Sequence, residues 1–140
     1  MRLKISKGHM WRAEIDDKPG TFAQSLEPFA KAGQNLQIVT GWSQTKDKQK
    51  GSVEIFPVTD EKGKVCAKEA GLHEITDIVC LIIEGEDRPG LAYDMAKAIS
   101  QAGINLRYAV CQGVKQNFLA CFGFQNEADA EKAKEVLEKL

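Results

Sequence analysis

The sequence predicts an α+β protein made of two similar modules, each an antiparallel sheet with helices on one face. Three observations lead to this prediction. The chain repeats itself at a spacing of 70 residues, each copy alternates strand-like and helix-like stretches, and the composition is that of a globular protein. Hydrophobic residues make up 43% and charged residues 28% of the 140 positions, which is close to the globular average.

The internal repeat dictates the architecture, so it is considered first. Residues 5–40 align without a gap on residues 75–110. Each copy contains the sequence D-[KR]-P-G, followed at the same distance by A-G-x-N-L. The identical pairs are Ile5/Ile75, Glu14/Glu84, Asp17/Asp87, Pro19/Pro89, Gly20/Gly90, Ala32/Ala102, Gly33/Gly103, Asn35/Asn105 and Leu36/Leu106.

Each copy reads as strand, helix, strand, strand and helix. The strands are rich in β-branched and aromatic residues, and the first helix of each copy opens at Pro-Gly and closes at a glycine. The predicted strands are Met10–Ile15, Leu36–Trp42, Val53–Val58, Ile78–Ile83, Leu106–Cys111 and Phe118–Phe124. The predicted helices run from Gly20 to Gly33, from about Glu61 to Ala70, from Gly90 to Gly103, and onward from an N-cap at Asn126.

One further strand opens each copy, because residues 2–6 align with residues 72–76. We expect the middle strand to complete the first sheet. The N-terminal strand then completes the second sheet, since the sequence stops at Leu140 directly after a helix. Each module thereby gains the β-α-β-β-α-β order of the ferredoxin-like fold.

Two local features distinguish the copies. Pro28 removes a hydrogen bond inside the first helix, where the second copy has Ala98, and this predicts a kink or a late helix start. The lysine-rich loop 45–51 is about four residues longer than its counterpart at 113–116.

The four cysteines are far apart and include no C-x-x-C pair. Cys80 and Cys121 lie in apolar runs and are expected to be buried, reduced packing residues. Cys111 and Cys121 are the one pair that a hairpin could bring face to face.

Composition excludes several function classes. With 19 basic against 20 acidic residues, the chain has no basic excess for binding nucleic acid. The first 20 residues carry charges throughout and contain no apolar run long enough for a signal peptide or a membrane span. We therefore expect a cytoplasmic protein that binds neither nucleic acid nor membranes.

The repeated D-x-P-G and A-G-x-N-L motifs resemble the ACT domain, a ferredoxin-like ligand-binding module of amino-acid metabolism. The resemblance covers residues 9–71 and 78–140, which indicates a first ACT domain at 1–71 and a second at 72–140. The family implies a small-molecule effector, with an amino acid expected, bound where modules pair. It implies a second copy of the chain or an enzyme as the protein partner.

Carried onto this sequence, the family's binding residues are the motif positions of both copies: Asp17, Pro19, Gly20, Asn35, Asp87, Pro89, Gly90 and Asn105. Their chemistry suits the role, because a helix N-terminus attracts a carboxylate, an aspartate pairs with an ammonium group, and an asparagine both donates and accepts. Each residue also has a purely structural interpretation in turns and caps. The copies differ nearby, as at Trp42 and Gln112, so the repeat does not require two equal sites: one half can bind the ligand while the other supports it.

Catalysis is not expected. The chain has two histidines, His9 and His73, at non-equivalent positions, and it lacks G-x-S-x-G, P-loop and G-x-G-x-x-G motifs. The spacing of its histidines and cysteines does not indicate a metal site, and no cofactor is predicted. Three functions remain open: an amino-acid sensor or carrier, a regulatory subunit that docks on an enzyme through an apolar patch, and a small ferredoxin-like enzyme.

Overall fold

The computed structural model describes residues 2–44 and 49–140. Within these ranges the elements, in chain order, are β1 (Lys4–Gly8), β2 (Trp11–Asp16), α1 (Thr21–Lys31), β3 (Ile38–Ser43), β4 (Lys50–Phe56), α2 (Glu61–Glu69), β5 (His73–Glu74), β6 (Val79–Glu86), α3 (Leu91–Gln101), β7 (Tyr108–Val114), β8 (Asn117–Phe124) and α4 (Glu127–Glu138). None of these helices is long and apolar enough to cross a membrane.

The strands form two antiparallel sheets with the orders β3-β4-β2-β5 and β1-β6-β8-β7. The predicted strand exchange is therefore confirmed: β5 completes the first sheet and β1 completes the second. Two compact units result, one of residues 9–75 and one of residues 1–8 together with 76–140; we call them the first and the second unit. The boundary at 71/72 describes the sequence repeat, whereas the compact units follow the exchanged strands.

The first unit packs both helices on one face of its sheet. Ala13, Val53 and Ile55 project from β2 and β4 on that face and are at most 3% exposed. They contact Phe29 of α1 and Ala67 of α2. Alternation along the strands places every second residue in this core.

The second unit has the same arrangement with a more continuous apolar lining. Its core includes Leu81 and Ile83 of β6, Phe122 of β8, Met95 of α3 and Leu137 of α4. Residues 79–83 are all buried.

Some local alternatives are excluded by the structure. Helix α1 begins at Thr21, directly after Gly20, with Pro28 inside it, so it does not start late, and the alternative of a kink stays a prediction. Cys111 pairs in register with Ala120, and Cys121 with Val110. Because neighbouring residues of a strand point to opposite faces, Cys111 and Cys121 do not face each other. Cys111 is exposed and Cys121 is buried.

The connection between the second and third strands of each copy also differs from the prediction. Ser43 pairs with Gly51, and Gly113 with Phe118. Counted between these paired positions, the first connection is about three residues longer than the second, whereas the prediction was about four. Residues 45–48 of the predicted lysine-rich loop lie outside the described residues.

Candidate ligand site

The two helices that follow the D-x-P-G motifs start differently from the other two. Asp60 and Asn126 cap α2 and α4 by accepting hydrogen bonds from the amides of Gly63 and Asp129. Helices α1 and α3 instead begin at glycines in the left-handed conformation, with no side-chain cap. The Thr21 and Leu91 amides donate to the carbonyl oxygens of Lys18 and Arg88, so the amides left to external acceptors are those that follow them in the first turn of α1 and α3.

Both motif glycines are required by backbone conformation. Gly20 has φ 93° and Gly90 has φ 82°, values that side chains disfavour. A Cβ built on either glycine would meet nothing within 4 Å. Each glycine thus sets the turn into its helix and leaves open space beside it.

A pocket of about 250 Å³ opens at this corner of the first unit. Its wall combines the end of β2, the D-x-P-G turn, the start of α1 and the adjoining parts of β3 and β4. The lining residues used below are Ile15, Asp17, Lys18, Thr21, Phe22 and Gly51. The volume lies just below the range of drug-sized ligand pockets, so the pocket suits a small metabolite.

The charged groups of the pocket are both acidic and basic. Asp16 accepts a hydrogen bond from Lys50 Nζ at 2.9 Å, and this hydrogen bond lowers the pKa of the Asp16 carboxyl. Asp16 is therefore ionised at neutral pH and is already engaged. Asp17 and Lys18 follow it in the sequence and also line the pocket, so the wall includes one further acidic and one further basic residue.

Thr21 fixes the turn between β2 and α1. Its hydroxyl donates to the carbonyl oxygens of Asp16 and Lys18. The amide of Asp17 donates to the carbonyl of Gln49 at 2.8 Å. These bonds hold the motif against the neighbouring strand, so the pocket wall is formed before any ligand arrives.

Asn35 is not part of this pocket. Strands β2 and β3 both pair antiparallel with β4, so they run parallel to each other. Asp17 follows the end of β2 whereas Asn35 precedes the start of β3. The two positions lie at opposite ends of the sheet, roughly 17 Å or more apart at 3.4 Å per residue. Asn105 and Asp87 are separated in the same way in the second unit. Within one unit, the expected loop and carboxamide are not brought together.

The equivalent corner of the second unit is filled by its own side chains. Leu91 aligns with Thr21 in the repeat. Phe118 is the equivalent of Gly51, because the two residues pair with aligned positions of the neighbouring strands. They are 1% and 6% exposed and belong to the core. A Cβ on Gly113 would collide with the Asp87 carboxylate, so Asp87 lies across β7.

Of the residues predicted from the sequence at this corner, Asp17 lines the pocket, whereas Pro19 and Gly20 form the adjoining turn and are not among the lining residues. Thr21, Phe22 and Gly41 of the pocket wall were not singled out as ligand contacts, and neither was Gly51. Gly41 admits the Phe22 ring, whose Cε1 would lie 2.8 Å from a Cβ at that position. The sequence did contain a signal for this part of the wall in Gly41 and Gly51, because an isolated glycine in a strand often marks a place where a ligand or another part of the chain comes close to the backbone.

The pocket wall combines carboxylate, ammonium, hydroxyl and apolar groups. Within residues 2–44 and 49–140, no group of three or more His, Cys, Asp or Glu side chains could hold a metal ion. His9 lies 3.0 Å, through Nδ1, from the carbonyl oxygen of Ile75, and His73 is in the short strand β5. Neither histidine lines the pocket.

No protein-family model and no curated protein matches this chain. Solved structures do match. A protein from Bacteroides thetaiotaomicron shares 18% identity at a TM-score of 0.75, covering 96% of this chain and 89% of that one. The ligand-free regulatory subunit of aspartate kinase from Thermus thermophilus shares 14% at 0.66, covering 99% and 97%.

The aspartate kinase of Clostridium acetobutylicum also matches, at 17% identity and a TM-score of 0.63, over 98% of this chain but 33% of that enzyme. These matches define the class by fold: two four-stranded antiparallel sheets with four helices, arranged as in the ACT-type regulatory domains of aspartate kinases. The resemblance to tandem ACT modules is confirmed at the level of the fold.

Proposed function

We propose that this chain is a non-catalytic regulatory protein that binds a free amino acid at the corner of its first unit. The observation that carries the proposal is the pocket itself. It places Asp17 and Lys18 at the start of α1, the helix without a side-chain cap. An α-amino acid carries one carboxylate and one ammonium group, and both find a complementary partner there.

The carboxylate is assigned to the amides of the first turn of α1 and to Lys18. This helix has no acidic residue in its first turn, so the positive end of its dipole is not offset by the protein. The ammonium group is assigned to Asp17. Because Asp16 is held by Lys50, Asp17 is the better acceptor.

The absence of catalysis is supported by the chemistry of the pocket wall. Thr21 and Ser52 are the hydroxyl groups that line it, and Thr21 donates to two carbonyl oxygens. Activating a hydroxyl as a nucleophile requires a base that takes its proton, and the Thr21 hydroxyl donates to backbone carbonyl oxygens instead of to the Asp16 or Asp17 carboxylate. Binding followed by a change in a partner's activity is the simpler use of such a site. The cytoplasm and pairing with a second copy remain predictions from the sequence.

A second candidate function is that of a subunit docked on a kinase. It is favoured by the Thermus thermophilus match, in which a regulatory subunit of aspartate kinase is covered over 97% of its length. The test is to add this chain to purified aspartate kinase from the organism that encodes this chain. Phosphoryl transfer is then measured with and without each amino acid. Co-elution and an amino-acid-dependent rate support docking, whereas an unchanged rate and separate elution contradict it.

The binding proposal is tested by a thermal-shift screen of the twenty amino acids on the full chain. A ligand present at 100 times its dissociation constant stabilises the folded state by about 2.7 kcal/mol. We expect at least one amino acid to raise the melting temperature, and Asp17→Asn to weaken that shift through loss of the ammonium partner.

The matched control is Glu61→Gln. It removes a carboxylate from the first turn of α2 in the same unit, away from the pocket wall, and should leave the shift unchanged. If none of the twenty amino acids stabilises the chain, the proposed function is wrong.

A further inference from the structure

We infer that the chain has a single ligand site, in the first unit, and that this site selects amino acids with a large apolar side chain. The inference rests on the proposed function and adds the number of sites and the class of ligand. At structurally equivalent positions of the two copies, the first unit has small side chains where the second unit has large ones.

The equivalences follow from strand pairing. Ile15 pairs with Gly51, and Gly85, which aligns with Ile15, pairs with Phe118. A glycine in β4 thus corresponds to a buried phenylalanine in β8. At the helix start, half-buried Thr21 corresponds to Leu91, which is 1% exposed.

These two exchanges decide where a ligand fits. Phe118 and Leu91 both belong to the core of the second unit, and they occupy the volume that is open in the first unit. A close-packed interior leaves no room there for a guest molecule. The D-x-P-G turn of the second unit therefore connects its strand and helix without forming a ligand pocket, and Asp87 lies over Gly113.

The α3 terminus is also less available than that of α1. Asp94 stands in the first turn of α3 and pairs with Arg88 at 2.6 Å. The first copy has Gln24 at the position of Asp94. A carboxylate is built into the second unit where the first unit has none, so an external carboxylate is better accommodated in the first.

The selectivity comes from the apolar part of the wall. Phe22 is 44% exposed although it is a large aromatic residue, and the second copy has Ala92 in its place. Its ring lies over Gly41, while Ile15 and Gly51 form the adjoining surface. An exposed aromatic ring beside a pocket is stabilised when an apolar side chain covers it.

The test is isothermal titration of the full chain with L-phenylalanine, L-leucine, L-aspartate and L-lysine. We expect L-phenylalanine or L-leucine to bind best, with one molecule per chain. Phe22→Ala should weaken this binding about tenfold, which corresponds to about 1.4 kcal/mol. Thr21→Leu, which copies Leu91, should abolish it. Circular dichroism checks that both variants are folded.

Tyr93→Ala is the matched control. It removes an aromatic ring that is 65% exposed on α3, and binding should stay within about twofold of the wild type, a difference well under 1.4 kcal/mol. Binding of two molecules per chain, a preference for L-aspartate or L-lysine, or undiminished binding by folded Thr21→Leu overturns the inference while leaving the proposed function intact. If no amino acid binds at all, the proposed function fails, and the inference fails with it.

Discussion

At the scale of single residues, the first unit contains an ion pair between a buried carboxylate and a partly exposed guanidinium, and the second unit replaces this pair with apolar residues. Glu54 is fully buried, and Arg12 Nε donates to its Oε2 at 2.6 Å. The equivalent positions of Arg12 and Glu54 in the second unit are Ile82 and Cys121, which also pair in register and are at most 1% exposed. The same pair of sheet positions thus holds two charged side chains in the first unit and two uncharged side chains in the second.

Removing one partner of this pair is expected to lower the free energy of unfolding strongly, whereas replacing both partners is expected to lower it only slightly. Arg12→Ile leaves a buried carboxylate without its partner, and we expect a loss of about 3 kcal/mol in the free energy of unfolding. Arg12→Ile combined with Glu54→Cys copies the second unit and should recover most of that loss, because a buried ion pair is commonly no more stable than a well-packed apolar pair. Urea unfolding measures both values.

The control for this series is Lys64→Ala. Lys64 and Glu61 form an exposed pair at 3.5 Å on α2, and its removal should change stability by less than about 0.5 kcal/mol. A double variant less stable than Arg12→Ile would show that Arg12 and Glu54 stabilise the unit beyond mutual neutralisation.

At the scale of elements, strand β1 is attached to α4 as well as to β6. Lys7 contacts the carboxylates of Glu127 and Glu131, one helical turn apart on α4. These hydrogen bonds raise the pKa of Lys7 and lower the pKa of Glu131. The interaction therefore stabilises the fold at neutral pH, where both partners are charged.

The pH dependence of this contact follows from the signs of the shifts. A lowered pKa means that the contribution of Glu131 is present above its ordinary pKa of 4.5 and is lost as pH falls from there through the lower folded-state value. The contribution of Lys7 is present below its ordinary pKa and is lost as pH rises through the raised value. We expect Lys7→Met to reduce stability at pH 7 and to have little effect at pH 3.

Urea unfolding at both pH values measures this difference, with Lys4→Met as the control. Lys4 lies 3.8 Å from Glu84 and is largely exposed, so its loss should matter little at either pH. An equal effect of Lys7→Met at pH 3 and pH 7 would show that the Lys7 side chain acts by packing instead of by charge.

Most elements were predictable because their signals are local. Asn126 was predicted as an N-cap, and its side chain accepts from the Asp129 amide at 2.8 Å. The strand exchange followed from the alignment of residues 2–6 with 72–76, since each sheet lacked one strand. These predictions needed periodicity, caps and the repeat, all of which can be read along the chain.

The pocket was not predictable in the same way. Its opening depends on Gly51 standing where Phe118 stands in the other copy, and that equivalence appears only through strand pairing beyond a connection of different length. The separation of Asp17 and Asn35 could have been foreseen. The motifs flank an 11-residue helix, which spans about 16 Å at 1.5 Å per residue.

At the scale of the whole molecule, the two units differ in continuity. The first unit is one stretch, residues 9–75, and includes every described residue of the pocket wall. The second unit is formed from residues 1–8 and 76–140, so its sheet is incomplete without the N-terminus. Leu3 and Ile5 pack on its core, and β1 pairs with β6 from Lys4 to Gly8.

Deleting residues 1–8 should therefore destabilise the second unit selectively. Loss of the two apolar contacts removes roughly 3 kcal/mol, and the amides of β6 lose the carbonyl partners supplied by β1. We expect hydrogen exchange to accelerate in β6 while exchange in β4 of the first unit stays unchanged. Deletion of residues 1 and 2 alone, which precede β1, is the matched control.

A rearranged chain separates the strand's role from that of its position in the sequence. Residues 3–8 are moved to follow Leu140 through a flexible Gly/Ser linker of about eight residues, which spans on the order of 15 Å. If β1 acts by completing the sheet, the moved strand pairs with β6 and restores slow exchange there. If exchange in β6 is as slow after deletion as in the intact chain, β1 is dispensable and the exchanged strand does not stabilise the second unit. Fast exchange in both the deletion and the rearranged chain would mean that the strand must also be continuous with β2.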